Sequence, residues 1–403
     1  MRTLLPTEPP PGPSRPDFWR SPLRGAWLTT VFGSFLLVAV TIVAVTGFLS
    51  HAAYQPSLGA NAIIPADKDI VLLSWPASPT YLYAITQGLH VTVGIVAVPL
   101  LLAKLWSVIP RLYAWPPVAS PADALGRLTT LLLVGSAIFQ FATGICNAQL
   151  YYPWKFNFVT AHYYGAWIFV AALVLHVAVK LPTIRRAYAT RRELDLDDEL
   201  RAPAPDEPTI SRRGLFGLVA GASAALFVVT AGQVIGGPTR KLALLAPRGR
   251  GETFPVNKTA AVAKVTPEMV GPDWRLELYG GARRVSLSRD ELLAMEQHTY
   301  ALPIACVEGW TTTQTWTGVR LKDLARLAGV PDADTVQTGS LQPRGAFRQA
   351  TLGRAQLHDD QALLALKVNG EDLPLDHGYP ARVICPALPG VHCTKWVGGL
   401  RFA

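Results

Sequence analysis

The chain has 403 residues, of which 50% are hydrophobic and only 16% charged, and its formal net charge is +9. This length exceeds one ordinary domain, and the apolar fraction is too high for a wholly soluble protein. The positive charge does not indicate a nucleic-acid-binding protein, because the sequence has no basic stripe with interleaved aromatic residues.

Five apolar segments with no Asp, Glu, Lys or Arg are long enough to cross a bilayer as helices. They lie at approximately Ala26–Leu49, Tyr81–Ala103, Leu128–Leu150, Phe156–Val179 and Gly214–Val234. Arginine and lysine are concentrated before the first segment, between the second and third, and between the fourth and fifth. The positive-inside rule then places the N-terminus in the cytoplasm and the C-terminal region outside. We therefore expect a multi-pass protein of a bacterial plasma membrane, surrounded by membrane lipid.

Two histidines, His162 and His176, lie fourteen residues apart in the fourth segment. On a helix this spacing gives a rise of about 21 Å and a rotation about 40° short of four turns, so both imidazoles share one face at two depths. Neutral imidazole is a good axial ligand for haem iron, and ionisable residues inside a membrane usually serve a function. The alternative interpretation is that both are polar residues at helix–helix contacts.

Two further histidines, His51 and His90, lie near the end of the first segment and inside the second. Matching their depths pairs His51 with His162 and His90 with His176. His51 has an alternative interpretation as an interfacial residue. Gly94 and Gly165 lie one helical turn beyond His90 and His162, where a missing side chain leaves room for a flat macrocycle.

With these histidines, residues 20–182 resemble the four-helix cytochrome b family of membrane electron carriers. The resemblance implies an all-α membrane bundle that binds haem b, in two copies if both histidine pairs are ligands. It also implies electron exchange with a quinone or quinol.

A basic, then acidic, then Pro-rich stretch follows and is typical of a solvated linker. The next residues, Ser211-Arg-Arg-Gly-Leu-Phe-Gly217, precede a weakly hydrophobic run and resemble a twin-arginine export signal that is retained as an anchor. The alternative is a pair of positive-inside arginines before an ordinary spanning helix. Since the twin-arginine route carries folded proteins, the signal predicts a cofactor in the domain that follows.

The C-terminal region contains three of the four cysteines, Cys306, Cys385 and Cys393, with no zinc-binding spacing. A disulfide between Cys385 and Cys393 is one possibility and would leave Cys306 single. Residues 304–307 read as a short buried strand, Gly309 opens a turn, and residues 321–328 read as a helix.

The motifs around Cys306 and near the C-terminus resemble the sulfite-oxidase-type molybdopterin fold, over about residues 252–403. They are Cys306-Val-Glu-Gly-Trp, Trp316-x-Gly-x-x-Leu321, Asn369-Gly-Glu-Asp-Leu-Pro, Asp376-His-Gly-Tyr-Pro-Ala-Arg382, Gly390 and Lys395-Trp396. The resemblance implies an extracytoplasmic α+β domain and a molybdopterin cofactor whose molybdenum is bound by the Cys306 thiolate. A soft thiolate suits a metal that changes oxidation state during oxygen-atom transfer.

The same resemblance implies that four polar residues bind the pterin. His377 and Arg382 would hold its phosphate, because a guanidinium fits phosphate oxygens bidentately. Lys395 corresponds to a basic residue beside the cofactor, and Asn257, in a segment that begins at Phe254, to a residue that contacts the pterin. The alternative for these residues is ordinary surface polarity.

The sequence departs from true sulfite oxidases directly after the cysteine. Val307-Glu-Gly-Trp-Thr311 stands where those enzymes have an arginine-containing segment that helps bind the oxyanion. This feature is nearer to the bacterial methionine-sulfoxide-reductase branch of the family. The substrate expected from the resemblance is therefore a small molecule or a methionine-sulfoxide-type group.

These observations predict five regions: a cytoplasmic tail (1–24), a haem b membrane domain (25–182), a cytoplasmic linker (183–210), an anchor helix (211–238) and a molybdopterin domain (239–403). The predicted function is a membrane-bound molybdopterin-dependent oxidoreductase, with S-oxide reduction favoured. Two alternatives stay open, a sulfite-type dehydrogenase that donates electrons inward and a non-catalytic haem anchor with a degenerate pterin domain.

Overall fold

The computed structural model describes residues 8–54, 70, 73–116, 120–189, 204–248 and 254–403. The chain divides into two compact units. The first unit comprises Met1–Ala44, Thr92–Asn147 and Tyr151–Val228, and the second comprises Val45–Val91, Ala148–Leu150 and Val229–Ala403. The acidic part of the predicted linker, Glu193–Glu199, lies outside the described residues.

Six helices account for the predicted spanning segments. They are α1 (Ala26–Tyr54), α2 (Leu82–Val96), α3 (Val98–Leu112), α4 (Pro121–Ala148), α5 (Phe158–Ala189) and α6 (Arg212–Ile235). Four of them, α1, α4, α5 and α6, are each long and apolar enough to cross a membrane, and α2 with α3 makes a fifth candidate if the two count as one bent span.

The bend between α2 and α3 is 43°. Pro99 occupies the first turn of α3. A proline has no backbone N–H to donate, and its ring collides with the carbonyl four residues earlier, so a continuous helix through this point is unfavourable. The predicted second segment is therefore interrupted near its middle.

Two small apolar clusters hold the first unit together. Leu28 and Phe32 of α1 pack with Ala103 of α3 and Val219 of α6. A second cluster joins Val40, Leu101, Ala137 and Phe169. Each cluster contains alanine at a contact, which lets the helices approach closely.

The second unit contains an α+β domain with ten strands and four short helices among the described residues. The strands are β1 (Leu276–Gly280), β2 (Arg283–Leu287), β3 (His298–Ala305), β4 (Thr311–Arg320), β5 (Thr335–Ser340), β6 (Gln349–Gly353), β7 (Leu363–Val368), β8 (Glu371–Asp372), β9 (Arg382–Ile384) and β10 (Val397–Phe402). The helices are α7 (Ala260–Ala263), α8 (Arg289–Ala294), α9 (Leu321–Leu327) and α10 (Arg354–Leu357).

The strands form two sheets. One has the order β2-β1-β10-β5-β6, in which only the β1–β10 pair is parallel. The other has the order β3-β4-β7-β8, and β9 also pairs with β7. Strand β7 is almost wholly buried, as expected for an apolar strand at the centre of a sheet. The expectation of an α+β domain is confirmed.

Local sequence signals explain several of these elements. Helix α8 begins with a capping box, in which the Ser288 side chain accepts from the backbone of Glu291 and the Glu291 carboxylate accepts from the backbone of Ser288. Gly309 has φ +95°, a conformation that favours glycine and that matches the predicted turn. Helix α9 matches the predicted helix at residues 321–328 to within one residue.

The second unit also includes chain from the N-terminal half. The indole N–H of Trp75 donates to the carbonyl oxygen of Ala387 at 2.7 Å, and the Gln356 side chain donates to the carbonyl oxygen of Trp75 at 2.8 Å. Trp75 packs into the same apolar core as Ala53 of α1 and Tyr83 of α2. The end of α1, the start of α2 and part of their connection thus pack with the C-terminal domain.

Gly318 explains one position of the Trp-x-Gly-x-x-Leu motif. Strand β4 shifts register against β7 between Thr317 and Gly318. A Cβ added at Gly318 would overlap the carbonyl oxygen of Leu364 on β7. Glycine is therefore required here by the close approach of two backbones.

We predict that Gly318→Ala lowers the free energy of unfolding of the C-terminal domain by about 1–3 kcal/mol, because overpacking forces two strands apart. Thermal unfolding of the purified chain measures the change. Gly339→Ala is the matched control, since a Cβ at this strand position lies 3.6 Å from the carbonyl oxygen of Gly399. Equal unfolding temperatures for the two variants would contradict the prediction.

Candidate functional site

Cys306 lies in a tight turn between β3 and β4. The last four residues of β3 are buried and lead directly into this turn. The Cys306 N–H donates to the carbonyl oxygen of Trp310 at 2.9 Å, and the Gly309 N–H donates to the carbonyl oxygen of Cys306 at 3.0 Å. Two hydrogen bonds therefore fix the backbone on both sides of the thiol.

Cys306 lines a pocket that contains every predicted residue of the molybdopterin site. The lining residues are Phe254, Pro255, Val256, Asn257, Ile304, Cys306, Trp310, His377, Arg382, Gly390 and Lys395. Cys306 and Asn257 come from regions of the sequence that are about fifty residues apart, and the three basic residues come from near the C-terminus. Their proposed roles as ligands stay predictions.

His377 is the first of the three basic residues that line the pocket. Its ring stacks on that of Phe254, with ring centroids 3.6 Å apart and an interplanar angle of 11°. Burial, together with the nearby charges of Arg382 and Lys395, lowers the pKa of His377 to about 4. The imidazole is therefore neutral near pH 7 and can act as donor or acceptor.

Arg382, on β9, is buried beside His377. One Nη atom donates to the carbonyl oxygen of His377 at 3.2 Å, while Nε is buried and has no hydrogen-bond partner among the described residues. Burial lowers the pKa of Arg382 to about 10, so the guanidinium stays charged near pH 7. A buried charged donor without an acceptor is costly, and an anionic group in the pocket would satisfy it.

Lys395 lies on the same side of the pocket. Its Nζ donates to the carbonyl oxygens of Asp376, at 2.9 Å, and of Lys258. Burial, followed by repulsion from Arg382, lowers the pKa of Lys395 to about 6. The Asp376 carboxylate accepts from the backbone N–H of Ala260 at 2.7 Å. No carboxylate is among the described residues that line the pocket.

The sulfur side of the pocket has different chemistry. Burial raises the pKa of the Cys306 thiol, and the negative charge of Glu308 raises it further. A bound metal cation reverses this effect, because coordination deprotonates a thiol. One thiol and three basic side chains in a single pocket therefore fit a group that carries both a metal and a phosphate.

A partly buried ion pair involves Glu308 of the Cys306 turn and was missed by sequence reasoning. The Glu308 carboxylate accepts from Arg248 Nε at 2.9 and 3.0 Å and from the indole N–H of Trp310 at 3.1 Å. Glu308 is buried, and Trp310 lines the pocket. Glu308 belongs to the quoted motif, but nothing in the sequence near Arg248 marks it as a partner.

The remaining cysteines differ from Cys306 in their surroundings. Cys385 and Cys393 are both buried free thiols in this structure, and so the possible disulfide between them is not formed. Burial raises the pKa of each thiol. Neither lines the pocket.

In the first unit, His162 has a defined partner. Thr143 lies 3.0 Å from His162 Nδ1, and the Thr143 hydroxyl also lies 2.7 Å from the carbonyl oxygen of Phe139, to which it donates. Because a hydroxyl has one proton, its oxygen accepts from Nδ1–H of His162. This tautomer leaves Nε2 as the nitrogen suited to bind iron.

The space around the two glycines that were expected to lie beside the haems differs. A Cβ at Gly94 would meet nothing within 4 Å among the described residues. The position beside Gly165 is filled by the side chains of Gln140 and Phe139. The expectation of open space at Gly165 is therefore wrong, since long side chains of α4 occupy it.

The other histidines also have close neighbours within their own units. In the second unit, a Cβ at Gly47 would lie 2.7 Å from the His90 ring, so His90 packs directly on the α1 backbone. His51 lies on α1, one turn beyond Gly47. In the first unit, His176 lies within electrostatic range of Lys104 and Lys180. The predicted pairs each combine one histidine from each unit, and the pairing stays a prediction.

Comparison with known proteins concerns the C-terminal region. Residues 262–403 match the family model of the oxidoreductase molybdopterin binding domain. Mitochondrial sulfite oxidase of Rattus norvegicus is 31% identical over 160 residues, which cover 33% of this chain and 29% of that protein. The uncharacterized oxidoreductase YuiH of Bacillus subtilis is 32% identical over 139 residues, which cover 32% of this chain and 65% of that protein.

A third relative, the NADH nitrate reductase of Volvox carteri, is 28% identical over 163 residues, which cover 32% of this chain and 19% of that protein. The chain thus spans less than a third of the length of the sulfite oxidase and nitrate reductase that it matches. The residues that match the family model include Cys306, His377, Arg382 and Lys395 of the pocket. Residues 262–403 therefore match a molybdopterin-binding oxidoreductase domain, and the chain is similar over part of its length to sulfite oxidases.

Proposed function

We propose that the chain is a membrane-bound molybdenum oxidoreductase that reduces an S-oxide and takes electrons from the quinone pool through b-type haems. The observation that carries this proposal is the pocket itself, which combines a buried thiol with Arg382, Lys395 and His377. These groups suit a molybdopterin, whose metal binds at the thiol and whose phosphate binds at the cations.

Each pocket residue has a distinct part in holding the cofactor. Cys306 binds the metal through its thiolate, and Arg382 offers its unpartnered Nε to the phosphate. Lys395 supplies a second cation once the phosphate is bound, because a neighbouring negative charge raises the pKa of a lysine. Neutral His377 supplies a hydrogen bond, and Asn257 contacts the pterin. When bound, molybdopterin supplies the redox-active metal at which an oxygen atom is exchanged with the substrate.

The charges near Cys306 favour a neutral S-oxide as substrate. Arg248 is the cation that pairs with Glu308 behind the turn, so its charge is already balanced. Ile304, Trp310 and Gly390 form the pocket wall on the same side. A neutral sulfoxide needs no further cation there, whereas sulfite would. The second candidate is a sulfite-type dehydrogenase, which the similarity to sulfite oxidases favours.

The N-terminal helices support a membrane location. The apolar windows of α1, α4, α5 and α6 keep only 11–28% of their residues buried inside the protein. Such apolar surface is expected to contact lipid. Arginine and lysine of the connecting loops then orient the N-terminus toward the cytoplasm and the molybdopterin domain toward the outside. Arg212 and Arg213 begin α6 and serve as the export signal.

Haem binding is proposed for the four N-terminal histidines, His51, His90, His162 and His176. The bond from His162 to Thr143 selects the tautomer of a metal-ligating imidazole. Ligated haem carries one electron at a time, whereas S-oxide reduction consumes two electrons and two protons and releases water. Quinol is the proposed source of both electrons.

We predict that Cys306→Ala abolishes reduction of methionine sulfoxide and leaves the haem absorbance unchanged, because this side chain is the protein's proposed metal ligand. Dye-linked turnover and visible spectra measure the two effects. Cys146→Ala is the control, since Cys146 lies on α4, outside the pocket. Retained turnover in Cys306→Ala would exclude the thiolate assignment. Haem reduction by sulfite would instead favour the dehydrogenase.

The lowered pKa of Lys395 predicts how the free energy of unfolding of the cofactor-free chain depends on pH. Its pKa is about 6 in the folded chain and about 10.4 when unfolded, so between these values the folded chain binds fewer protons. The free energy of unfolding therefore rises with pH over this window. Below about pH 6 the lysine is protonated in both states, and this dependence ends.

We therefore expect Lys395→Met to flatten the increase in unfolding temperature between pH 6 and 8, measured on cofactor-free protein in detergent. Lys241→Met, which changes an exposed lysine, should retain the dependence of the unchanged chain. An identical slope in all three proteins would show that Lys395 titrates normally.

Metal analysis tests the haem ligands. The purified chain should contain about one molybdenum and two irons. We predict that His162→Ala and His176→Ala each remove iron and leave molybdenum in place, as measured by elemental analysis. His298→Ala, in the C-terminal domain, should retain the metal content of the unchanged chain. Full iron in both helix variants would contradict the haem assignment.

A further inference from the structure

The turn that carries Cys306 contacts a helix from the N-terminal half of the chain. Gln87 on α2 donates from Nε2 to the carbonyl oxygen of Val307 at 2.6 Å. A Cβ at Gly309 would lie 2.9 Å from Val91 Cγ1, so the turn and the helix are in van der Waals contact. Both contacts lie within the second unit.

The contacting residues share one face of α2. Tyr83, Gln87 and Val91 are spaced by four residues, and His90 follows Gln87 by three, so all four lie on neighbouring positions of the helix surface. Tyr83 is buried, and its hydroxyl lies within electrostatic range of the Cys306 thiol. The helix face that supports the turn therefore also carries a proposed haem ligand.

The hydrogen bond from Gln87 gives a partner to a backbone carbonyl that is not used by the hydrogen bonds within the turn. Within the turn, Cys306 N–H and Gly309 N–H bond to the carbonyls of Trp310 and Cys306. The carbonyl of Val307, directly after the cysteine, accepts from the helix. This carbonyl belongs to the Val307–Glu308 peptide unit, the second unit after Cys306, so the hydrogen bond restrains the backbone of the turn that carries the thiol.

We propose that Gln87 is a positioning residue for the metal-binding thiol, so that α2 completes the molybdenum site. This inference rests on the proposed function and extends it to a residue outside the family-matched region, which begins at residue 262. Groups that orient a metal ligand typically change metal affinity or activity by about 10–100-fold when they are lost.

The position of His90 gives the contact a second consequence. From Cys306, one peptide unit, the Val307–Gln87 hydrogen bond and one turn of α2 lead to His90. This is a short bonded connection between the two proposed redox sites.

The test uses the full chain in detergent and two glutamine variants. Gln87→Leu keeps the side-chain size and removes the donor. Gln361→Leu is the matched control, because it removes the bond of 2.9 Å that Thr80 makes with Gln361 elsewhere between the same chain regions. Cofactor-free protein is treated with iodoacetamide, and peptide mass spectrometry gives the alkylation rate of Cys306. The molybdenum-loaded proteins are compared by electron paramagnetic resonance.

We expect Gln87→Leu to raise the alkylation rate of Cys306 by about tenfold and to change the molybdenum resonance, because the thiol is no longer held in place. Gln361→Leu should match the unchanged chain in both. Equal rates and identical resonances in the two variants would overturn the proposal. If Gln87→Leu does not fold, Gln87→Asn, which is polar but too short to reach Val307, gives the same comparison.

The two hypotheses fail in different ways. A purified chain without molybdenum or iron would exclude the proposed function, yet alkylation of the cofactor-free thiol would still decide the role of Gln87. Conversely, a metal-loaded and active chain whose Cys306 reacts equally in both variants would retain the proposed function and exclude Gln87 as a positioning residue.

Discussion

The charge buried in the C-terminal pocket is the constraint on which the rest of the site depends. Arg382 and Lys395 are held together without a carboxylate among the described lining residues, and the Asp376 carboxylate is bonded to the backbone of Ala260. Burial lowers the pKa of Arg382, and burial followed by repulsion from Arg382 lowers the pKa of Lys395. An anion in the pocket would offset the cost of burying this charge, and the phosphate of a pterin is such an anion.

The sulfur side of the pocket depends on parts of the chain that lie far apart in sequence. The turn after β3 receives Gln87 from α2, and Glu308 within it receives Arg248 from the segment that follows α6. Arg240, in the same segment, donates to the carbonyl oxygen of Thr311 at the start of β4. Helix α2 and the segment that follows α6 thus both contact the backbone or side chains beside Cys306. The surroundings of this cysteine therefore include residues that lie outside the region matched by the family model.

The sequence predicted the pocket well because its residues lie in short motifs with local causes. Gly309 needs a positive φ, Gly318 allows two backbones to meet, and the basic residues follow each other within nineteen positions from His377 to Lys395. Gln87 and Arg248 could not be predicted, since their partners lie 220 and 60 residues away and neither has a distinctive neighbourhood. Gly165 was misjudged for a related reason, because the side chain that fills its space comes from another helix.

The predicted domain boundaries were also affected by contacts between segments that are distant in the sequence. Hydropathy places the end of α1 and the start of α2 in the membrane half, because a run of apolar residues looks the same whether it contacts lipid or a protein core. In the structure Ala53, Trp75 and Tyr83 belong to the core that also contains Cys306 and Cys385. Packing in this core is a sufficient reason for these residues to be apolar, and composition alone could not reveal it. If the C-terminal domain is exported in a folded state, it packs against them only after export, and the contact between Gln87 and the Cys306 turn forms after the cofactor is in place.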